Sequence, residues 1–105
     1  MLVIKKLSII IPVYNEANNI ENAIKSVVDV SLPNGIEREI IVVDDASKDG
    51  TRSVLERIEK QYQEKHVSIY YHPQNRGKWG AIRTALEHVT GDYTIIQDAD
   101  SEYDV

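Results

Sequence analysis

Glu39-Ile-Ile-Val-Val-Asp-Asp-Ala-Ser-Lys-Asp-Gly-Thr51 contains the fold in miniature. A strand with one wet face alternates polar and apolar residues. Here Glu39–Val43 runs apolar without a break after its first residue, which reads as a strand buried on both faces, as parallel sheets require. Asp44 and Asp45 stop it and a polar loop, Ala46–Gly50, follows. From Thr51 to Glu64 the period then changes, with Val54, Leu55, Ile58 and Tyr62 on one helical face. Strand, acidic loop and helix make a βα unit.

The same pattern recurs on either side. Upstream, Leu7–Val13 is another nearly unbroken apolar run, with Pro12 marking its exit because proline cannot donate to a ladder. Ile20, Ala23, Ile24, Val27 and Val28 then recur at helical spacing, with Asn18 or Asn19 as N-cap and turn residues from Ser31 to Gly35 closing the helix. Downstream, Val67–Tyr71 reads as a less buried strand at an edge. A loop over 72–77 leads to a helix from Lys78 to Val89 that packs Trp79, Ile82, Leu86 and Val89. Gly91-Asp92 turns into a fourth strand, Tyr93–Gln97.

The order is β-α-β-α-β-α-β. It implies an α/β, Rossmann-like domain with a mainly parallel sheet, right-handed crossovers and helices on both faces. One domain is expected over residues 1–105. No helix follows to cover the last strand, so these residues read as the N-terminal part of a larger unit.

Composition narrows the function. With 42% hydrophobic and 28% charged residues the chain fits one modest soluble domain. A formal net charge of -5 argues against a nucleic-acid or anionic-membrane surface. There is no cysteine, hence no thiolate metal site or disulfide framework. Met1–Lys6 lacks the features of a signal peptide, and no apolar run is long enough to span a membrane. A cytoplasmic location is the expectation.

In an open parallel sheet, ligands bind beyond the carboxyl ends of the strands, where strand order reverses. Each unusual polar cluster falls on that rim. Tyr14 and Glu16 follow the first strand, Asp44 and Asp45 the second, and Asp98, Asp100 and Glu102 the fourth. Carboxylates at i, i+2 and i+4 of an extended segment point the same way and repel one another. Two readings are open for them: oxygen ligands for Mg²⁺ or Mn²⁺ beside a phosphate, or a solvated acidic turn. A calcium EF-hand is excluded by Tyr103, which stands where that loop needs glycine.

One of Asp44 and Asp45 is expected to fold its loop while the other accepts hydrogen bonds from a ribose or base. Tyr14 offers a stacking face. Asn75-Arg76-Gly77-Lys78-Trp79-Gly80-Ala81 has neither dinucleotide-fingerprint nor P-loop spacing. Its backbone amides, with Arg76 or Lys78, are placed to meet a diphosphate, and Trp79 reads as a core anchor. His66, His72 and His88 lack ligand spacing and receive no role.

Four segments in order carry a resemblance: Ile-Ile-Ile-Pro-Val-Tyr-Asn-Glu over 9–16, Val-Val-Asp-Asp-Ala-Ser-Lys-Asp-Gly-Thr over 42–51, Asn-Arg-Gly-Lys over 75–78 and Gln-Asp-Ala-Asp over 97–100. From about Leu7 to Val105 the chain resembles the inverting glycosyltransferases of family two, which have the GT-A fold. Within them it is most similar to the dolichyl- or polyprenyl-phosphate mannosyl/glucosyltransferase branch. Trp79 and Ser101 depart from the pattern.

The resemblance implies a UDP- or GDP-sugar donor between the first and fourth strands, transferred with inversion to a lipid phosphate or a saccharide. Pro12, Tyr14 and Glu16 would line the nucleoside pocket, and Val43 and Asp45 would touch base or ribose. Asp98 and Ala99 would lie under the ribose and diphosphate, and Asp100, with Asp98 and Glu102, would hold Mg²⁺ or Mn²⁺. No catalytic base is identified. The acceptor-side half is expected to lie outside these residues, which alone would bind donor weakly and turn over poorly. The rival reading is a non-catalytic nucleotide- or metal-binding module.

Overall fold

The computed structural model describes residues 5–33, 35–63 and 66–99. Its elements are β1 (Lys6–Val13), α1 (Ile20–Asp29), β2 (Glu37–Asp44), α2 (Thr51–Gln61), β3 (Val67–Tyr71), α3 (Gly77–Leu86) and β4 (Tyr93–Ile96). The expected alternation is present, with ends shifted by a few residues. The four strands are parallel in the order β3-β2-β1-β4. Strand order therefore reverses at β1, between β1 and β4.

Alternating side chains of the central strands feed two cores. Ile9, Ile11 and Val13 of β1 and Ile40 and Val42 of β2 pack against Ile20, Ile24 and Val27 of α1 and Leu55 and Ile58 of α2. Ile10, Ile41 and Val43 face the other way, onto Ala81 and Ala85 of α3. This explains the unbroken apolar runs: both faces of β1 and β2 are covered, so neither parity can be polar.

Pro12 lies inside β1, which is a central strand, and the ladder explains why it is tolerated. Ile10 C=O accepts from Gln97 N–H on the β4 side, while Val13 C=O accepts from Asp45 N–H on the β2 side. By alternation Pro12 looks toward β4, whose pairing has already ended at Ile96. The missing donor costs no ladder bond, and the gap it borders is the crevice at the switch point.

Two expectations fail in α3. Trp79 and Leu86 are not core anchors: they are 74% and 50% exposed. The helix presents Ala81, Ile82 and Ala85 to the sheet, and Trp79, two residues before Ala81, falls round the flank. On β4, Tyr93, Ile95 and Ile96 are about half exposed, because among the described residues it is an edge strand with no helix over it.

At the amino ends of the strands a polar latch ties β4 to β1. Gly91 N–H donates to Ser8 Oγ at 2.9 Å, and Glu39 accepts from Thr90 N–H and from the Ser8 and Thr90 hydroxyls. Asp92 accepts from the amides of Lys5 and Lys6. Arg38 donates to the carbonyls of Val27 and Val30, satisfying the end of α1. Among the described residues no helix is long and apolar enough to cross a membrane.

Candidate functional site

The loops at the carboxyl ends of β1 and β2 are fastened to each other by short polar side chains. Asn15, left-handed at φ 53, presents Oδ1 to the amides of Lys48 and Asp49, and its own N–H donates to Ser47 Oγ at 2.8 Å. Glu16 N–H donates to Thr51 Oγ1 at 2.9 Å, and Ala17 N–H to Asp49. Asn19 occupies the N-cap position of α1 without capping it; its amide donates instead to Glu16 at 3.1 Å. Burial opposes the charge on Asp49, but hydrogen bonds from Thr51 and Ala17 outweigh it and hold the carboxyl below its ordinary range.

Between these loops, α3 and the end of β4 lies a cleft lined by Pro12, Val13, Tyr14, Glu16, Asp45, Lys78, Ala81, Asp98 and Ala99. It sits at the reversal of strand order. Six of the candidate residues meet there: Pro12, Tyr14, Glu16, Asp45, Asp98 and Ala99. Val43 does not. It is fully buried against α3, because its parity on β2 points it into that core. Asp100 and Glu102 lie outside the described residues.

The two aspartates at the end of β2 both fold loops. Asp44 accepts from the amide and hydroxyl of Ser47. Asp45, 2% exposed, takes the amides of Arg76 at 2.7 Å and Gly77 at 2.8 Å and the ring of His72 at 2.8 Å. The amides of Arg76 and Gly77 therefore serve this carboxylate and are not offered to a diphosphate. Of the pair, only Asp45 reaches the cleft. Gly77, at φ +81, makes the turn that aims these amides inward.

The cationic side chain that lines the cleft is Lys78, from the first turn of α3, whose Nζ lies 2.8 Å from Asp98 Oδ1. Tyr14 stands at the rim, 42% exposed. The residue that sequence reading missed is His72, buried against Asp45. Lone histidines carry no spacing signal, and only the juxtaposition of β3 and β2 reveals it.

Asp98 brings to the cleft the hard oxygen donor that Mg²⁺ or Mn²⁺ prefers. Among the described residues no three His, Asp or Glu side chains gather as a metal cage. A cation here would need the adjoining Asp100 and Glu102, or oxygens from a ligand.

The profile of Glycosyl transferase family 2 matches residues 8–105. An uncharacterized glycosyltransferase of Mycoplasma genitalium is 35% identical over 98 residues, spanning 90% of this chain and 32% of that protein. A protein of Bacillus subtilis named for teichuronic acid biosynthesis, TuaG, is 39% identical over 97 residues, 92% of this chain and 36% of its own. Among solved structures, a mannosyltransferase from Pyrobaculum calidifontis in complex with GDP-Man and Mn²⁺ superposes with a TM-score of 0.81 at 35% identity, covering 92% of this chain and 28% of that one. TarS of S. aureus in complex with UDP-GlcNAc gives 0.73 at 29% identity, covering 90% and 26%. The chain thus spans between about a quarter and a third of the length of these proteins. The parallel sheet with its helices is the GT-A fold of those structures.

Proposed function

This chain belongs to glycosyl transferase family 2, and on that footing we propose that it forms the donor-binding part of an enzyme that moves a sugar from a UDP- or GDP-sugar to an acceptor, with inversion at the anomeric carbon. The observation that carries this reading is the meeting of Pro12, Tyr14, Glu16, Asp45, Asp98 and Ala99 in one cleft at the strand-order reversal. The complexes of the relatives with GDP-Man and UDP-GlcNAc support the donor class.

In this reading each residue has work suited to its chemistry. The ring of Tyr14 at the rim gives the base a stacking face. Asp45 accepts one hydrogen bond from base or ribose. Asp98 serves the ribose and a divalent cation, and Lys78 balances the diphosphate. Asp98, with Asp100 and Glu102, would hold Mg²⁺ or Mn²⁺, which would supply positive charge against the diphosphate. The protein's own part is to hold the donor in line and present fixed charges where negative charge develops.

The acceptor divides into two classes. Similarity to a teichuronic acid glycosyltransferase at 39% identity favours a saccharide hydroxyl. The motif resemblance to the prenyl-phosphate branch favours a lipid phosphate, which would place the enzyme at the cytoplasmic face of a membrane. A phosphate is already anionic and needs no base, whereas a hydroxyl does.

Calorimetry with UDP and GDP, with and without Mn²⁺, tests the donor reading; absence of binding by either nucleotide rejects it. Sugar transfer by the full-length protein to a prenyl phosphate or an oligosaccharide then separates the acceptors. Tight nucleotide binding with transfer to neither would mark a binding module.

A further inference from the structure

His72 follows β3 and is 6% exposed, yet both of its ring nitrogens are bonded. Nδ1 lies 2.8 Å from Asp45 Oδ1 and Nε2 lies 2.8 Å from Thr84 Oγ1 of α3. Its backbone N–H donates to Asp44 C=O, which pins the residue to β2. An ionised carboxylate only accepts, so the proton on this edge belongs to Nδ1. In the neutral ring Nε2 then accepts from the Thr84 hydroxyl.

The bonds around Asp45 can be counted. Oδ1 accepts from His72 and from Arg76 N–H, and Oδ2 accepts from Gly77 N–H. A carboxylate has about four lone-pair positions, so one is left, on Oδ2. Asp45 lines the cleft, whereas His72 and Thr84 do not. The order carboxylate, imidazole, hydroxyl is that of a nucleophilic triad, but a hydroxyl outside the cleft has nothing to attack.

We propose that His72 is a positioning residue for nucleotide recognition: by bonding Asp45 on one side and Thr84 on the other, it fixes the carboxylate so that its single remaining lone pair points into the donor cleft. The two backbone amides come from one loop and move with it. His72 spans β3 and α3 and is the third point that stops the carboxylate from rotating. One lone pair reads one donor, such as the ring N–H that uracil and guanine have and cytosine lacks. His72 therefore also sharpens the choice of UDP or GDP over CDP. The inference rests on the donor-binding reading above.

The test uses the full-length protein, with UDP, GDP and CDP titrated in the presence of Mn²⁺ into wild type, His72→Asn and His72→Phe, and with melting temperatures measured alongside. Asparagine can still donate to Asp45 and keeps the preferred nucleotide within about threefold of wild type. Phenylalanine fills similar space without a donor; it weakens that nucleotide by about tenfold or more and narrows its margin over CDP. In wild type the His72 Nδ1–H resonance shifts when nucleotide binds, which keeps the test open should His72→Phe fail to fold. Equal affinity of all three proteins, equal loss in both variants, or an unmoved resonance overturns the proposal. If wild type binds neither UDP nor GDP, it is the donor reading that falls, and this inference with it.

Discussion

Lys78 Nζ lies 2.8 Å from Asp98 Oδ1, so α3 already brings a positive charge to the carboxylate at the end of β4. Both side chains are well exposed to solvent, and such pairs contribute about 0–1 kcal/mol to stability. The pair serves charge placement in the cleft more than it serves the fold.

Lys78→Met should therefore leave the melting temperature almost unchanged while weakening nucleotide diphosphate by about tenfold without metal, since a charge-assisted contact is lost. Mn²⁺ should recover a larger share of binding in the variant than in wild type, because Asp98 is relieved of its competing ammonium. Calorimetry with and without Mn²⁺ reads both effects. A variant indistinguishable from wild type would remove Lys78 from the site.

Asp45→Ala is expected to be costly to the fold. Three donors, the His72 ring and the amides of Arg76 and Gly77, lose their acceptor together. Each buried donor left unsatisfied costs about 1–3 kcal/mol. Asp45→Asn keeps one oxygen and should cost less. Urea unfolding of the two variants measures the order, and equal stability of Asp45→Ala and wild type would contradict the hydrogen-bond geometry.

The fold was legible in the sequence because burial on both faces leaves a mark no loop can imitate: Ile9–Val13 and Ile40–Val43 are apolar at every position. The acidic rim was legible for the same reason, since Asp44, Asp45 and Asp98 interrupt those patterns where the sheet ends. Trp79 misled because helical spacing does not tell the buried centre of a face from its flank, and two alanines, Ala81 and Ala85, form the true contact. His72 was illegible because its meaning comes from Asp45, 27 positions away in sequence. Val43 was assigned to the ligand by the family resemblance, whereas strand parity turns its side chain into the core.

Acid should loosen the latch at the other end of the sheet. Burial disfavours the charge on Glu39, but hydrogen bonds from Ser8 and Thr90 and the ammonium of Lys6 outweigh it and lower its pKa from an ordinary 4.5. A carboxyl with a lowered folded pKa stabilises fully above its unfolded value and loses that contribution as pH falls through the folded one. The melting temperature should stay flat down to 4.5 as far as this group is concerned, then drop. Glu39→Gln should make the drop shallower; an unchanged acid slope would absolve Glu39.

Exposure predicts opposite outcomes for two neighbours on α3. Trp79 is 74% exposed and Ile82 only 4%. Trp79→Ala should change stability by no more than about 0.5 kcal/mol, the usual range for surface positions. Ile82→Ala should cost about 2–5 kcal/mol, through lost burial and the cavity left behind. Chemical denaturation of the pair decides whether α3 is docked as described.

Gly91 gives the sharpest steric test. A Cβ at this position would stand 2.5 Å from Ser8 Oγ, 2.8 Å from Ser8 N and 3.0 Å from Lys6 O. Two of those atoms are backbone of β1, a central strand that cannot yield without disturbing β2. The Gly91 amide also donates to Ser8 Oγ, which in turn donates to Glu39, so the clash strikes the latch that starts β4 in register. Gly91→Ala should destabilise by about 1–3 kcal/mol, as overpacking does. Hydrogen exchange should show faster opening of the β4 amides than of the central β2, because among the described residues β4 is held on one side only, by β1. Since β4 carries Asp98 and Ala99 into the cleft, nucleotide affinity should fall with it, although Gly91 lies at the opposite end of the strand. A variant with wild-type stability and exchange would show that the latch does not set the position of β4.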